Sequence, residues 1–445
     1  MGLSKTLVGL ALTGAITAQI ANAGDNSNND LTWKLPPDIV EPNKITTKSL
    51  QYAFDVFSWE SFIALNWPAT KKGMPNKKKM IGKDAITVWE QWPHTTDIFK
   101  PGGVKPDPWG SPIDTQYCTN LKKKDLKEKK LLRQIKKVSP NLLILNQEPM
   151  DTGPVIDQNG QYLQYEINLG KSMFDYIVDN ELYNVEGQQK FDKAGHMVDF
   201  ASGDRKTGKT GAIMVKAAWK ILDKKEDRSK FHTVDAVIWN NPAEKGDGTC
   251  RIETVGLIGL HIATKTKSAP QWVWSTFEHV DNAPTEATIK EECRDNKHFS
   301  LYNCNEQDRA VNKVPAQPWD ASRPGQTPTQ VARVVPLTDE TKALNKRYQD
   351  KLRAIDPKTP WQNYMLISTQ WPTRAGDPTS FQNPDPQGSP APMVLANTTL
   401  ETYTQGTIPQ IGTSCTECHF RATSRIGKWT DFTYTLGMAY KLNEK

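Results

Sequence analysis

Apolar and polar positions change their period several times along the chain, and each change marks an element. In residues 49–69 (SLQYAFDVFSWESFIALNWPA), Phe54, Phe57, Phe62 and Leu65 recur near helical spacing, with Asp55, Ser58 and Glu60 off that face. Trp67-Pro68 closes the run, so the stretch predicts a core helix dense in aromatics. From Asn141 onward the texture turns to short β-like runs bounded by turn residues. VIDQNGQYLQYEIN alternates around Asp157-Gln158-Asn159-Gly160 and predicts a hairpin on a tight Asn-Gly turn. Residues 172–183 read as a helix, and a Gly/Lys-rich loop at 203–211 leads into AIMVKAAWKIL. HTVDAVIWN, TVGLIGLHIAT and QWVWSTFEHV then predict three strands of an antiparallel sheet with a buried face. Residues 281–330 are polar and Pro-rich, a linker or long surface excursion. Thr338 as N-cap and Asp339 and Glu340 in the first turn start a helix to about Ala354. NYMLISTQWP predicts a further strand, and MVLANTTLETYTQ, capped by Asn397, a helix leading to residue 414. The fold class is therefore α+β, with an antiparallel-sheet-rich body over 24–310 and a mainly helical C-terminal region over 311–445 packed on it.

The first 23 residues have their own pattern. A short positive start at Lys5, an apolar run over 6–20 and Ala21-Asn22-Ala23 before Gly24 read as a secretory signal peptide. The apolar run is too short to span a bilayer stably, so the mature chain is expected to be exported and without an integral membrane segment. Loss of Lys5 takes the formal net charge from +6 to +5, mildly basic and not a nucleic-acid signature. Lys71, Lys72, Lys77, Lys78, Lys79 and Lys83 form one basic cluster around Gly73 and Pro75. Residues 122–137 (KKKDLKEKKLLRQIKK) form a second, in which Leu126, Leu131, Leu132 and Ile135 suggest an amphipathic surface helix. Both clusters read as solvated faces, or as a docking surface for an acidic redox partner or an anionic membrane.

The residues that state a chemistry are Ser414-Cys415-Thr416-Glu417-Cys418-His419-Phe420. In C-x-x-C-H each thiol can add to a haem vinyl group as a thioether, and the histidine can ligate the iron. One helical turn puts both sulfurs on one side, with the next residue facing the porphyrin. A redox C-x-x-C would be expected in a βαβ context, and half a zinc site would require a second Cys/His pair at short spacing; the sequence has neither. Four further cysteines, Cys118, Cys250, Cys293 and Cys304, suggest two disulfides in an exported chain. Cys293 with Cys304 is the obvious local pair and leaves Cys118 with Cys250, although four cysteines allow three pairings.

The other axial position separates functions, because a Met or second His gives an electron carrier whereas an open position admits small molecules. Only 26 residues follow His419, so the walls of the site must come largely from upstream. Met438 is the one downstream methionine and the candidate sixth ligand, with Met393 a similar candidate. His261 and His279, inside two strands, read as hydrogen-bonded sheet histidines that could instead serve as a distal ligand or acid/base group. His94, His232 and His298 have polar surroundings and nothing recommends them.

C-T-E-C-H in an exported chain resembles the c-type cytochromes. With FSWESFIALNWP early, WVWSTFEHVDN in the middle, NTTLETY before the motif and DFTY after it, the chain is similar to large exported bacterial proteins with one C-terminal haem motif. The resemblance implies one covalent haem c on Cys415 and Cys418 with His419 axial to the iron. With that haem, the function expected of the chain is electron transfer in the periplasm with a redox partner protein. The alternative is a peroxidase- or oxygenase-like haem enzyme with an open or labile sixth iron position, which the large body would suit. The chain departs from small cytochromes c in the late position of its motif and in having no obvious methionine region downstream.

Overall fold

The computed structural model of the chain describes residues 31–82, 85–111, 118–126, 129–135, 154–239, 249–294, 297–316, 324–405 and 413–444; the expected signal peptide lies outside them. Helix α1, Thr47–Leu65, starts at Thr46, whose side chain accepts from the Ser49 amide at 3.1 Å. It buries Phe54, Phe57, Phe62 and Leu65 as its spacing predicts. Asp55 and Ser58, expected off that face, are also buried, because the sheet beneath offers them hydroxyl partners. Ser58 Oγ lies 2.6 Å from both Ser275 Oγ and Thr369 Oγ1, and Asp55 accepts from Gln51 Nε2 at 3.0 Å.

Burial pushes the Asp55 carboxyl up from 3.8 to about 7, against the pull of hydrogen bonds from Thr369 and Gln51. The folded chain therefore keeps this proton to higher pH than the unfolded chain. Its contribution to stability is full below the ordinary value of 3.8 and is lost as pH rises to about 7. Asp55→Asn is expected to gain on the wild type by roughly a few kcal/mol over that interval. Urea midpoints at acid and neutral pH measure it, and a pH-independent difference between the two proteins would refute it.

Among the described residues, eight strands form one sheet. They are β1 Lys130–Leu132, β2 Gln164–Leu169, β3 Ile213–Ile221, β4 Thr233–Trp239, β5 Cys250–Thr264, β6 Val273–His279, β7 Tyr364–Pro372 and β8 Pro390–Ala391. β5 is the hub, pairing antiparallel with β3, β4 and β6. β2 joins β3, β7 joins β6 and β8 joins β7, all antiparallel, while β1 runs parallel to β4. The mixed α+β architecture stands, and chain from both sides of residue 310 builds the one sheet. The turn after Ile156 is hairpin-like, with Gly160 at φ 74° and a bridge from Ile156 to Tyr162.

Two expected helices do not form as read. Among the described residues of the second basic cluster, Lys123–Leu126 alone is helical, and Lys130–Leu132 is strand β1. Leu132 is fully buried there, and Lys130 meets Glu166 at 2.6 Å, so pairing against β4 outweighs the helix propensity of Lys and Leu. Residues 397–405 form successive turns. Their threonines bond locally, Thr402 Oγ1 donating to the Thr398 backbone carbonyl at 2.6 Å and Thr399 Oγ1 to the Asn397 side-chain oxygen Oδ1 at 2.7 Å. The C-terminal region thus supplies a 17-residue helix, Asp339–Ile355, capped by Thr338 as expected, together with β7, β8, these turns and a short helix at the motif, rather than a mainly helical unit.

Alternation along the strands gives the sheet two differently covered faces. Ser275 and Phe277 face α1, where Phe277 stacks on Phe62 at 4.4 Å between ring centres. Trp274 and Glu278 on β6, with Gln370 on β7, face the C-terminal segments instead. Gly259 of β5 pairs with Glu278, and a Cβ there would stand 2.0 Å from Thr399 Oγ1, so only glycine lets the Thr-rich turns lie flat on the sheet. The two disulfides are Cys118–Cys250 and Cys293–Cys304, one of the three pairings the sequence allows.

Candidate functional site

The motif folds as a short helix, Cys415–Phe420, capped by Ser414, whose side chain accepts from the Glu417 amide. Cys415, Cys418 and His419 stand at i, i+3 and i+4, so both sulfurs and the imidazole share one face. All three are partly exposed, and Cys415 and Cys418 lie outside both disulfides. Gln370 of β7 seats this helix on the sheet. Its Oε1 accepts from the Thr416 amide at 2.9 Å while its Nε2 donates to the Pro392 carbonyl at 2.7 Å.

His419 is held on two sides. Its Nδ1 lies 2.8 Å from the Phe432 carbonyl oxygen, a geometry in which Nδ1–H donates and the lone pair resides on Nε2. Its ring lies 4.4 Å from that of Trp274 and 5.3 Å from that of Tyr434. Tyr434 donates to the Cys418 carbonyl at 2.8 Å, with its hydroxyl 3.9 Å from Cys418 Sγ. Burial, with the Cys418 thiol beside it, pushes the Tyr434 phenol well up, so it stays a protonated donor. Beneath the motif, Phe432, Leu436, Trp272 and Trp274 are buried in one apolar cluster on which Cys415 and Phe420 pack.

The donor set fits covalent haem. Two thiols and an imidazole on one helix face are the attachment chemistry, and a carbonyl on Nδ1 is the support a metal-ligating histidine uses to orient Nε2. Among the described residues no group of three or more His, Cys, Asp or Glu side chains is placed to hold a metal ion, so a zinc site gains no second ligand pair there.

The candidates for the second axial position separate. Met438 is 3 % exposed, on the turn Tyr434–Met438 and within the cluster that carries Cys415. Met393 is 62 % exposed, two residues before Leu395, whose amide donates to the Thr413 carbonyl at 2.6 Å. His261 Nε2 lies 3.2 Å from Glu401 Oε2, on the sheet face that carries Trp274. His279 is five positions along β6 from Trp274, about 17 Å away at strand spacing. Its Nε2 lies 3.0 Å from the Lys230 carbonyl and its Nδ1 accepts from the Asp281 amide at 3.1 Å. Burial holds its pKa down at about 4, so His279 is a neutral, hydrogen-bonded sheet histidine. His232, unremarkable in the sequence, is fully buried, with Nε2 2.9 Å from Glu90 and its ring against Trp361.

Sequence reasoning missed Gln370, Trp274, Tyr434 and the Phe432 carbonyl. Trp274 and Tyr434 fall in WVWSTFEHVDN and DFTY, which entered the resemblance without a role for either residue; Gln370 falls in a stretch read as a strand, and a backbone carbonyl leaves no signal in residue identity. Compared with known proteins, the chain matches no family model, no curated protein and no solved structure.

Proposed function

We propose that the chain is an exported monohaem c-type cytochrome that carries electrons, with one haem c joined to Cys415 and Cys418 and ligated by His419. The observation that carries this reading is the Nδ1 contact of His419 with the Phe432 carbonyl at 2.8 Å, on a helix face that also presents both thiols. Bound there, the haem would supply an iron that cycles between ferrous and ferric states. The chain's own part is to hold the imidazole in one tautomer, to keep the thiols on one side, and to shield the proximal edge with Trp274 and Tyr434. Burial of that edge lowers the local dielectric and so helps set the potential.

Lys71, Lys72, Lys77, Lys78 and Lys79 are exposed, which suits fast encounter with an acidic redox partner. Among the described residues no helix is long and apolar enough to cross a membrane.

The test is expression in a host that matures cytochromes c, followed by denaturing gel, haem stain, intact mass and optical spectra. Wild type is expected to keep one haem through denaturation and acid extraction, and Cys415→Ala/Cys418→Ala to lose it. A wild-type chain without covalent haem would sink the proposal. Carbon monoxide addition to the reduced protein separates the alternatives. An unchanged low-spin spectrum supports the carrier, and prompt binding supports a haem enzyme with an open iron.

A further inference from the structure

We propose that Asp431, locked in place by Lys265, is the positioning residue that sets the orientation and donor strength of His419 as an iron ligand. This rests on the haem c reading above. The carbonyl that meets His419 Nδ1 belongs to Phe432, and Asp431 and Phe432 stand at φ 51° and 63°. Two consecutive residues with side chains in the left-handed region are strained and persist only where the surroundings over-determine them.

Here the surroundings are specific. Asp431 is fully buried; its Oδ2 accepts from the Phe200 amide at 2.7 Å and from Lys265 Nζ at 2.6 Å, and its Oδ1 from Trp272 Nε1 at 3.3 Å. Lys265, 2 % exposed, sits on the chain just after β5 and also meets Asp199 at 2.5 Å. Thr430 Oγ1 closes the turn on the Thr433 carbonyl at 2.6 Å. The strained turn is thus anchored to the chain that follows β5 and to Trp272, which leads into β6, the strand whose Trp274 packs against the His419 ring.

A carbonyl held rigidly at Nδ1 makes the imidazole a stronger donor, which favours ferric over ferrous iron. If the turn loosens, the Nδ1 bond lengthens and the potential rises. Loss of the Asp431 charge would by itself raise the midpoint, so the g values and the charge-neutral Trp272→Phe separate positioning from charge; a purely structural role would affect melting and leave those two readouts unmoved.

The experiment uses the full-length, haem-loaded protein. Asp431→Asn keeps the shape and loses the charge, and Trp272→Phe removes one donor to Asp431. Glu278→Gln is the control, since the buried Glu278–Arg333 pair holds the Thr-rich turns rather than the 430–433 turn. Midpoint potential, ferric EPR g values and melting temperature are read on each. Asp431→Asn is expected to shift the midpoint to a more positive value and to move the g values. Trp272→Phe should do the same to a smaller extent, and Glu278→Gln should lower only the melting temperature. The inference is overturned if Asp431→Asn and Trp272→Phe lower the melting temperature and leave the g values, and for Trp272→Phe also the midpoint, at wild-type values; if Asp431→Asn does not fold, Trp272→Phe decides by the same criterion. A wild-type chain without haem overturns this inference together with the c-type reading, whereas unmoved readouts in haem-bearing variants overturn this inference alone.

Discussion

Arg333→Met is expected to lose about 3–5 kcal/mol of unfolding free energy, because it leaves a buried carboxylate without its cation. Arg333 and Glu278 are 2 % and 0 % exposed, and their two hydrogen bonds, at 3.1 and 2.8 Å, form a bidentate pair. Glu278 also accepts from the Thr398 amide at 2.7 Å and the Thr398 hydroxyl at 2.6 Å. One carboxylate therefore ties β6, the 333 segment and the Thr-rich turns together. The double variant Arg333→Met/Glu278→Gln should recover most of the loss, since the buried charge is gone and the Gln carbonyl can still accept from Thr398. Urea or guanidinium unfolding of the three proteins measures this. A single-variant loss under about 1 kcal/mol, the range of exposed pairs, would show that water reaches the pair in solution.

The second large effect is expected from Cys118→Ser/Cys250→Ser. That bridge spans 132 positions of chain, and the loop entropy it removes from the unfolded state corresponds to about 5 kcal/mol. The Cys293–Cys304 bridge spans 11 positions and is worth roughly 3 kcal/mol on the same scale. The long bridge also has local support, because Asn120 and Cys250 exchange two hydrogen bonds of 2.8 Å. Denaturant midpoints of the two double variants should therefore rank with the long bridge as the costlier loss. The reverse order would mean that the reduced, unfolded chain keeps residual structure near Cys118.

Elements whose information is local were legible in the sequence. The helix Asp339–Ile355 begins where Thr338 and two acids say it should, and α1 follows its aromatic spacing. Strands β4, β5, β6 and β7 each contain an apolar run read as a strand. The readings that failed depended on partners elsewhere. Lysines and leucines at 129–132 suit a helix until the edge of β4 and the carboxylate of Glu166 are supplied. Asp55 and Ser58 look like the polar side of α1 until Ser275 and Thr369 are brought beneath them. Neither partner can be inferred from the period of the helix itself.

The sequence by itself determined the chemistry on offer: two thiols and an imidazole within five residues, whose mutual placement needs only one helical turn. The tertiary structure alone decided what surrounds them. The carbonyl on His419 Nδ1 is 13 residues away, the Gln370 side chain that seats the motif is 46 residues from Thr416, and the Lys265 that locks Asp431 is 166 residues from it. A covalent motif is written in neighbouring residues, whereas the hydrogen bonds that orient it are made by groups the fold brings together, and no residue type announces such a meeting before the sheet has formed.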